Sequence, residues 1–197
     1  MRRFLRSFNN ALALLQCSLD DLAPVSLDDL GDIRPIDMLD EHDVRTWLDI
    51  HNDAYGRSWD RAHYQAWILD HPHLDVLQSY LLYQDGSAVG AGSTAVFRRN
   101  RIIGVGHYVG IRKAYQGRGL GRRLMLFRYH TLREYGVASF EMETTIGRRA
   151  SIWAHFNCGF KPKPRFDDWN THDQAAPWLR ALTRVRLERL YEQWRRR

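Results

Sequence analysis

A glycine-rich turn, which follows an apolar segment and opens a long amphipathic one, constrains the fold of this chain most. Residues 116–122 read QGRGLGR. The apolar spacing before the turn predicts a strand over 102–112, and the spacing after it predicts a helix from Gly119 to Tyr135. Glycines leave the backbone N–H groups uncovered, and a helix start adds unpaired donors and a partial positive charge. The turn is therefore predicted to bind an anion, typically a phosphate or a pyrophosphate.

Two generic phosphate-binding motifs do not fit this turn. A P-loop needs a Lys-Ser or Lys-Thr pair after its last glycine, and none is present. The dinucleotide fingerprint G-x-G-x-x-G fails because the glycines stand at 117, 119 and 121. A turn without any ligand stays open as an alternative, although three alternating glycines at a helix start cost conformational entropy.

Two motifs resemble those of the GNAT superfamily of N-acetyltransferases. The turn at 116–121 matches the superfamily's Q/R-x-x-G-x-G/A motif, and residues 109–111 stand where that superfamily has a Val-x-Val-like strand. Downstream, residues 151–160 (SIWAHFNCGF) resemble its A-I-x-L-Y-x-K-x-G-F segment. The resemblance covers roughly residues 32–170. It implies an α/β (α+β) fold in which helices flank a mixed, mostly antiparallel central sheet.

The resemblance also implies acetyl-CoA, or a related acyl-CoA, as the donor, bound where the fourth and fifth strands of that fold splay apart. The residues implied are Val109, Gly110 and Ile111 for the pantetheine arm, and Gln116, Gly117, Arg118, Gly119, Leu120, Gly121 and Arg122 for the pyrophosphate. A backbone N–H near Ile111 would polarise the thioester carbonyl. Transfer to an amine would occur in one ternary complex, without a covalent enzyme intermediate.

Two histidines and two glutamates are candidates for moving protons during that transfer. His155 stands where many superfamily members have a tyrosine acid, and it is either a proton donor to the leaving thiolate or a spacer. His107 lies four residues before Ile111 on the same strand face, which makes it the leading candidate base. Glu141 and Glu143 are alternative bases. Structural histidines and solvated carboxylates are the competing interpretations.

No motif defines the acceptor, which is expected to be a small-molecule or peptide amine. Tyr55, Arg57 and Trp59 lie in the region that borders the acceptor site in the superfamily, although core and rim packing would also explain them. Residues 71–75 (HPHLD) resemble a metal cluster only in composition, because neither H-E-x-x-H nor paired Cys-x-x-Cys is present. No metal is therefore predicted.

Length and composition predict one cytoplasmic domain. At 197 residues the chain is long enough for one substantial core and too short for two ordinary domains. Apolar residues make up 44% and charged residues 26%, which is usual for a globular protein. No apolar run approaches the ~20 residues that a membrane helix needs. Cys17 and Cys158 lack metal-ligand spacing, so a reducing compartment is expected.

Both ends of the single domain (1–197) are predicted to add a helix to the core at 32–170. One helical face over 1–20 collects the apolar residues Phe4, Phe8, Leu12, Leu15 and Leu19. Pro177 opens a basic helix over 176–197, whose apolar face predicts packing on the body of the protein or across a homodimer. Its arginines make nucleic-acid binding a further, less favoured hypothesis, which predicts a steeply salt-dependent affinity.

Between these helices the pattern predicts the element order of a GNAT fold. The elements are a strand over 32–36, a helix from Asp40 to Tyr55, a helix capped by Ser58 and ending at His71, strands over 80–83 and 88–97 joined by Asp85-Gly86, the strand over 102–112, the helix after the glycine turn, a strand over 139–144, a helix over 148–157 and a strand over 159–169.

A second function class stays open beside the enzyme. The missing tyrosine at position 155 is compatible with a GNAT-fold protein that binds acyl-CoA as a sensor or scaffold without efficient turnover. Release of free thiol from acetyl-CoA with a panel of amines would distinguish the two classes.

Overall fold

The computed structural model describes residues 12–22, 26–163 and 177–196, and these residues form seven strands and five α-helices. The strands are β1 (Leu12–Ser18), β2 (Ile33–Pro35), β3 (Leu74–Gln84), β4 (Ser87–Phe97), β5 (Asn100–Ile111), β6 (Ser139–Thr145) and β7 (Lys161–Pro162). The helices are α1 (Glu41–Tyr55), α2 (Arg61–Tyr64, continued as a π-helical turn over Gln65–Leu69), α3 (Leu120–Glu134), α4 (Arg149–Phe156) and α5 (Pro177–Arg195).

All seven strands belong to one mixed sheet with the order β2-β3-β4-β5-β6-β1-β7. Every neighbouring pair is antiparallel except β5 and β6, which are parallel. The parallel ladder holds three pairs: Ile103 with Ser139, Gly104 with Phe140, and Val105 with Glu141. Beyond the last pair β5 and β6 no longer pair with each other, although β5 stays paired with β4 and β6 with β1. The predicted mixed, mostly antiparallel sheet flanked by helices is therefore confirmed.

Local sequence signals set the bounds of the early elements. The Asp40 carboxylate accepts a hydrogen bond from the backbone N–H of Asp43 at 2.9 Å and caps α1, as predicted. The helix ends at Gly56, whose φ of 62° is left-handed. Asp85 and Gly86 also have positive φ, 51° and 75°, and they form the predicted two-residue turn between β3 and β4.

The predicted cap of the second helix was wrong, because Asp60 rather than Ser58 caps α2. The Asp60 carboxylate accepts from the backbone N–H of His63 at 2.9 Å. The Asn52 side chain forms two hydrogen bonds with the backbone of Trp59. Its Nδ2 donates to the Trp59 carbonyl at 2.8 Å, and its Oδ1 accepts from the Trp59 N–H at 2.7 Å. This pairing keeps the chain extended through Trp59, so the helix begins two residues later than predicted.

The predicted N-terminal helix is wrong over Leu12–Ser18, which forms strand β1; residues 1–11 of that prediction lie outside the described residues. Ala13, Leu15 and Cys17 are buried, whereas Gln16 and Ser18 are half-buried, which is a strand period. The apolar run from Leu12 to Leu15 fits either period. Its strand conformation follows from β6, whose free edge pairs with β1 along seven residues.

The basic C-terminal helix forms over Pro177–Arg195 and packs on the body of the protein. Leu187 and Leu190 are buried in one apolar cluster with Leu15 of β1 and Phe156 of α4. The Trp194 indole N–H donates to the Asn157 side chain at 2.7 Å. The end of the last predicted strand, from residue 164 to 169, lies outside the described residues. None of the described helices has the length and apolar composition that crossing a bilayer requires.

Strand β5 runs between two helices that approach it closely at glycines. A Cβ atom on Gly110 would stand 3.2 Å from Ala54 and His51 of α1. On the α3 side, a Cβ atom on Gly106 would stand 2.9 Å from the Arg128 guanidinium. Because glycine lets both helices come this near, side chains of α1 and α3 reach the gap that opens beside β5.

The strand conformation of residues 12–18 can be tested with Cys17→Asp. A helix with Leu12, Leu15 and Leu19 on its buried face would leave residue 17 on the solvent side. In the strand the Cys17 side chain is 5% exposed, so a carboxylate there should lower the free energy of unfolding by about 2–4 kcal/mol. Urea unfolding measures the loss. The control, Ser18→Asp at a less buried site, should cost about 0.5 kcal/mol or less; equal small effects from both variants would contradict the strand.

Candidate functional site

A cleft of about 1090 Å³ opens where β5 and β6 separate after Val105. It is lined by the second half of β5, the glycine turn, the end of β6 and the start of α4, with side chains from α1 and α2 at one end. The separation leaves one edge of each strand without a sheet partner. A ligand with its own hydrogen-bonding groups can occupy such a gap as an additional strand would.

A β-bulge shapes the wall that β5 presents to the cleft. Val109 pairs with Gly92 and His107 with Ser93, so Tyr108 is an extra residue on β5, and its φ is 52°. Beyond the bulge, the carbonyl oxygen of Val109 accepts a hydrogen bond from the Tyr55 hydroxyl. The carbonyl oxygen of Ile111 accepts from the Gln116 side chain at 2.9 Å. The carbonyls of Val109 and Ile111 therefore point away from β4. Because the N–H and C=O groups of one residue in an antiparallel strand point to the same side, the N–H groups of Val109 and Ile111 also point away from β4.

The glycine turn presents backbone N–H groups to the mouth of the same cleft. Gly117 and Gly119 both have a φ of 78°, and no atom lies within 4 Å of where their Cβ atoms would be. Helix α3 begins at Leu120 without a side-chain cap. The amides of Leu120 and Gly121 therefore have neither a helical partner nor a capping group, whereas the next two amides, of Arg122 and Arg123, donate to the Gly119 carbonyl at 3.0 and 3.3 Å. Leu120 is 4% exposed and packs against Leu124, which fixes the turn to the core.

A buried arginine that the motif analysis did not find lies behind the bulge. Arg128 of α3 is 1% exposed, and its guanidinium donates to the Tyr80 hydroxyl at 2.5 Å and to the carbonyls of Ser93 and Tyr108 at 3.0 and 2.8 Å. Among the described residues no carboxylate forms an ion pair with it. Because a guanidinium stays charged, a positive charge faces the floor of the cleft. The sequence does contain a hint of it: Arg128 is a charged residue four positions after Leu124 and four before Leu132, on the apolar face of α3.

Comparison with known proteins identifies the fold around this cleft. Residues 44–160, more than half of the chain, match the model of the Acetyltransferase (GNAT) family. The chain belongs to the GNAT acetyltransferase family. It is therefore an acyltransferase by family, and the resemblance inferred from its motifs is confirmed. No curated protein matches the chain in sequence.

Solved GNAT structures share the fold at low sequence identity. A GNAT-family protein of Novosphingobium aromaticivorans is 20% identical with a TM-score of 0.57, and the match covers 77% of this chain but only 61% of that one, less than two thirds of its length. The ribosomal-protein-S18-alanine N-acetyltransferase of Escherichia coli is 20% identical with a TM-score of 0.53, and the match covers 65% of this chain and 76% of that one. The aminoglycoside antibiotic 6'-N-acetyltransferase of Acinetobacter haemolyticus is 16% identical with a TM-score of 0.54, and the match covers 69% of this chain and 94% of that one. These identities show the fold alone.

Both predicted catalytic histidines line the GNAT cleft, and a backbone carbonyl fixes the tautomer of each. His107 Nε2 lies 2.6 Å from the carbonyl oxygen of Trp67, and His155 Nδ1 lies 2.5 Å from that of Ser151. A carbonyl only accepts, so these nitrogens carry the hydrogens and the other ring nitrogens are bare. The His155 Nε2 atom is buried without a partner. Burial lowers the pKa of His107 to about 3 and that of His155 to about 4, and the charge of Arg128 acts in the same direction.

At neutral pH both imidazoles are therefore uncharged hydrogen-bond acceptors. His155 has no proton on Nε2 to give to a leaving thiolate, which argues against the proton-donor interpretation. Its bare Nε2 instead suits a donor group such as an amide N–H of a bound ligand. His107 offers a bare Nδ1, which suits the acceptance of a proton or a hydrogen bond.

The two glutamates proposed as bases lie in different surroundings. Glu141 belongs to the last parallel pair with Val105, where the sheet is still closed, and its carboxylate accepts two bonds of 2.7 Å from the Lys163 ammonium. The two side chains are 7% and 8% exposed. Glu143 lies two residues further, beyond the separation, and lines the cleft. Glu143 thus lines the same cleft as the two histidines, whereas Glu141 lies outside the cleft lining in an ion pair.

Aromatic and imidazole rings line the end of the cleft near α1 and α2. Tyr55, Arg57 and Trp59 are there, as the sequence suggested, and Trp67, His71 and Tyr108 join them. The sequence patterns did not predict the last three, because the bulge and the π-helical turn that place them are not visible in periodicity. The described residues include no group of three or more histidine, cysteine or acidic side chains placed to hold a metal ion.

The buried neutral histidines predict a pH-dependent stability. Burial lowers the pKa of His51 to about 3, alongside His107 and His155. The unfolded chain binds a proton at each site near pH 6.5, whereas the folded chain does not until pH 3 to 4. The free energy of unfolding should therefore fall below about pH 6.5, by up to ~1.4 kcal/mol per pH unit for each histidine.

Urea unfolding at pH 7.5, 6.0 and 5.0 (about the range that these shifts define) measures this slope. His51→Gln removes one of the three titrating groups. The dependence of the unfolding free energy on pH should therefore become less steep by the contribution of one histidine, whatever the variant does to stability at pH 7.5. A slope that stays unchanged in the variant, or a flat profile in the parent protein, would contradict the buried neutral state.

Proposed function

We propose that the protein binds acetyl-CoA in this cleft and transfers the acetyl group directly to an amine in a ternary complex. The supporting observation is the separation of β5 from β6 beside uncapped amides at the start of α3. A helix start with exposed N–H groups suits a diphosphate, and the free edge of β5 suits an arm that carries amide groups.

Three parts of the chain would hold the donor, which supplies an activated thioester. The backbone amides of residues 117–121 would hold the diphosphate, with the side chains of Arg118 and Arg122 adding positive charge; the Arg122 amide itself donates to the Gly119 carbonyl. The amides of Val109 and Ile111 would bond the pantetheine arm. The bare Nε2 of His155, which is buried without a partner, would accept from an N–H of that arm. This unsatisfied acceptor and the uncovered glycine amides are complementary to the groups that coenzyme A carries.

In the transfer, the amine nitrogen forms a bond to the acetyl carbon as the carbon–sulfur bond breaks, the amine loses one proton and the thiolate gains one. The N–H at Ile111 would stabilise the thioester oxygen as charge develops there. The buried charge of Arg128 favours negative charge on that oxygen and on the leaving sulfur. His107 Nδ1 or Glu143 would accept the proton from the attacking nitrogen, either directly or through water.

The same proposal places the protein in a reducing cytoplasm. Cys17 and Cys158 are both unpaired and buried in one apolar cluster. Burial raises the pKa of the Cys17 thiol to about 12 and also raises that of Cys158, so neither is a thiolate at neutral pH. This supports packing roles for both thiols and a transfer that forms no covalent enzyme intermediate.

The glycine turn provides the direct test of donor binding. Gly119→Val adds a β-branched side chain where φ is 78°, which should distort the turn and weaken coenzyme A binding at least about tenfold. Gly136→Val is the matched control, because Gly136 also has a positive φ, 70°, and open space around its Cβ position but does not line the cleft. It should keep the affinity of the parent protein.

Calorimetry with coenzyme A measures both variants, and release of free thiol from acetyl-CoA with a panel of amines measures turnover. If the parent protein gives no heat, or if Gly119→Val binds as the parent does, the proposed donor site is wrong. Donor binding without thiol release from any amine would favour the sensor or scaffold over the enzyme.

Arg128 predicts a second effect on turnover. Arg128→Met removes the charge behind the bulge and should lower kcat roughly tenfold to a hundredfold, while Arg128→Lys should restore part of the loss because it keeps the charge. Arg133→Met is the control, since Arg133 also lies on α3 and donates to backbone carbonyls, those of Leu19 and Leu22, away from the cleft. Equal kcat values for the two methionine variants at matched folded fraction would contradict the electrostatic role.

A further inference from the structure

The acceptor end of the cleft is a surface of flat rings. The indole of Trp59 lies 4.9 Å from the ring of Tyr108 between centroids, and His63 stacks behind it at 4.3 Å and 9°. On the other side of Tyr108, the ring of His107 lies at 4.5 Å. Trp67 also lines this end. Such ring faces bind planar apolar groups by stacking.

The charge of the residues that line the cleft is predominantly positive. Among the described residues that line the cleft, Glu143 is the one acid, whereas Arg57, Arg128, Arg148 and Arg149 are all cationic. Acidic side chains close to α2 and β3 are engaged elsewhere: Asp60 caps α2, and Asp75 pairs with Arg98 at 2.8 Å and with Arg101 at 2.6 Å. An acceptor with several positive charges would meet repulsion here, with Glu143 as the one carboxylate of the described lining to offset it.

The histidines of this end are neutral hydrogen-bonding groups and provide no negative charge that would hold a basic amine as its ammonium form. The His107 ring donates its one N–H to the carbonyl of Trp67, and the His71 ring accepts backbone N–H groups of His73 and Leu74 on Nδ1, at 3.2 and 3.1 Å. Both rings are therefore fixed in neutral tautomers, with the charge of Arg128 nearby. An alkylammonium would enter the cleft as a cation against this field, or would first have to lose its proton in solution, which costs free energy at pH 7.

From these observations we propose that the acceptor is an aromatic amine of low basicity. Its nitrogen lone pair is delocalised into the ring, so it enters the cleft uncharged and needs a base only after attack begins. Its ring would stack against Trp59 and Tyr108, with the amine directed towards the bulge. This inference rests on the proposed acetyl transfer and adds the acceptor class. It excludes polycationic aminosugars as preferred acceptors.

The test compares acceptors that separate ring, basicity and charge. Acetylation by the full chain is measured at pH 7 with 4-methoxyaniline, with 4-methoxybenzylamine (a ring with a basic amine), with cyclohexylamine (basic and not aromatic) and with tobramycin (a polycation). The proposal expects kcat/KM for 4-methoxyaniline to exceed that for each basic amine by at least about tenfold. A preference for cyclohexylamine, 4-methoxybenzylamine or tobramycin would overturn it.

A variant at Trp59 tests the stacking surface. Trp59→Ala should raise KM for 4-methoxyaniline about tenfold and leave the calorimetric affinity for coenzyme A unchanged. The control is Trp194→Ala, because Trp194 lies on α5 against Asn157 and does not line the cleft. A KM unchanged by Trp59→Ala would overturn the assignment of the ring surface. If an amine outside the aromatic class is the substrate, only the inferred acceptor class is wrong. If coenzyme A binds but no amine is acetylated, the proposed acetyl transfer is wrong as well.

Discussion

The parting of β5 from β6 is the feature on which the rest of this molecule depends. The two strands share three ladder pairs and then diverge, so β5 around Val109 and Ile111 has a neighbouring strand on the β4 side only. Exposed strand edges invite pairing with other chains, and here a cleft with a specific lining takes that place. Strand β1 makes the arrangement stable, because it pairs with the far edge of β6 and keeps that strand in the sheet while its near edge is free.

The electrostatics of the cleft follow from one buried charge. Burying the Arg128 guanidinium costs free energy that its three hydrogen bonds to neutral oxygens only partly offset. The charge holds the bulge through the carbonyls of Ser93 and Tyr108, and its sign favours a reaction in which oxygen and sulfur become negative. It also disfavours protonated imidazoles and ammonium groups nearby. Geometry, acceptor chemistry and proton movement are thus linked through a single residue of α3.

The sequence carried the parts of this structure that are encoded locally. The glycine turn, the Asp85-Gly86 hairpin and the helices α1, α3 and α4 follow from short patterns, and all were predicted close to their observed bounds. Residues 12–18 were mistaken for a helix because their apolar run fits both periods, and only the free edge of β6 decides between them. The sequence could not decide which of Glu141 and Glu143 lines the cleft for a similar reason, since the point where the sheet opens depends on pairing between distant strands. Trp67 and Tyr108 reach the cleft through a π-helical turn and a bulge, which leave no signature in periodicity.

The most direct measurement of the central claim is the amide NMR spectrum of the protein as coenzyme A is added. The account predicts that the N–H signals of Val109, Ile111 and residues 117–121 shift together and saturate with one affinity, while those of β1 and β7 stay in place. Shifts confined to another surface, or none at saturating coenzyme A, would contradict the claim that the opening between β5 and β6 is a binding site.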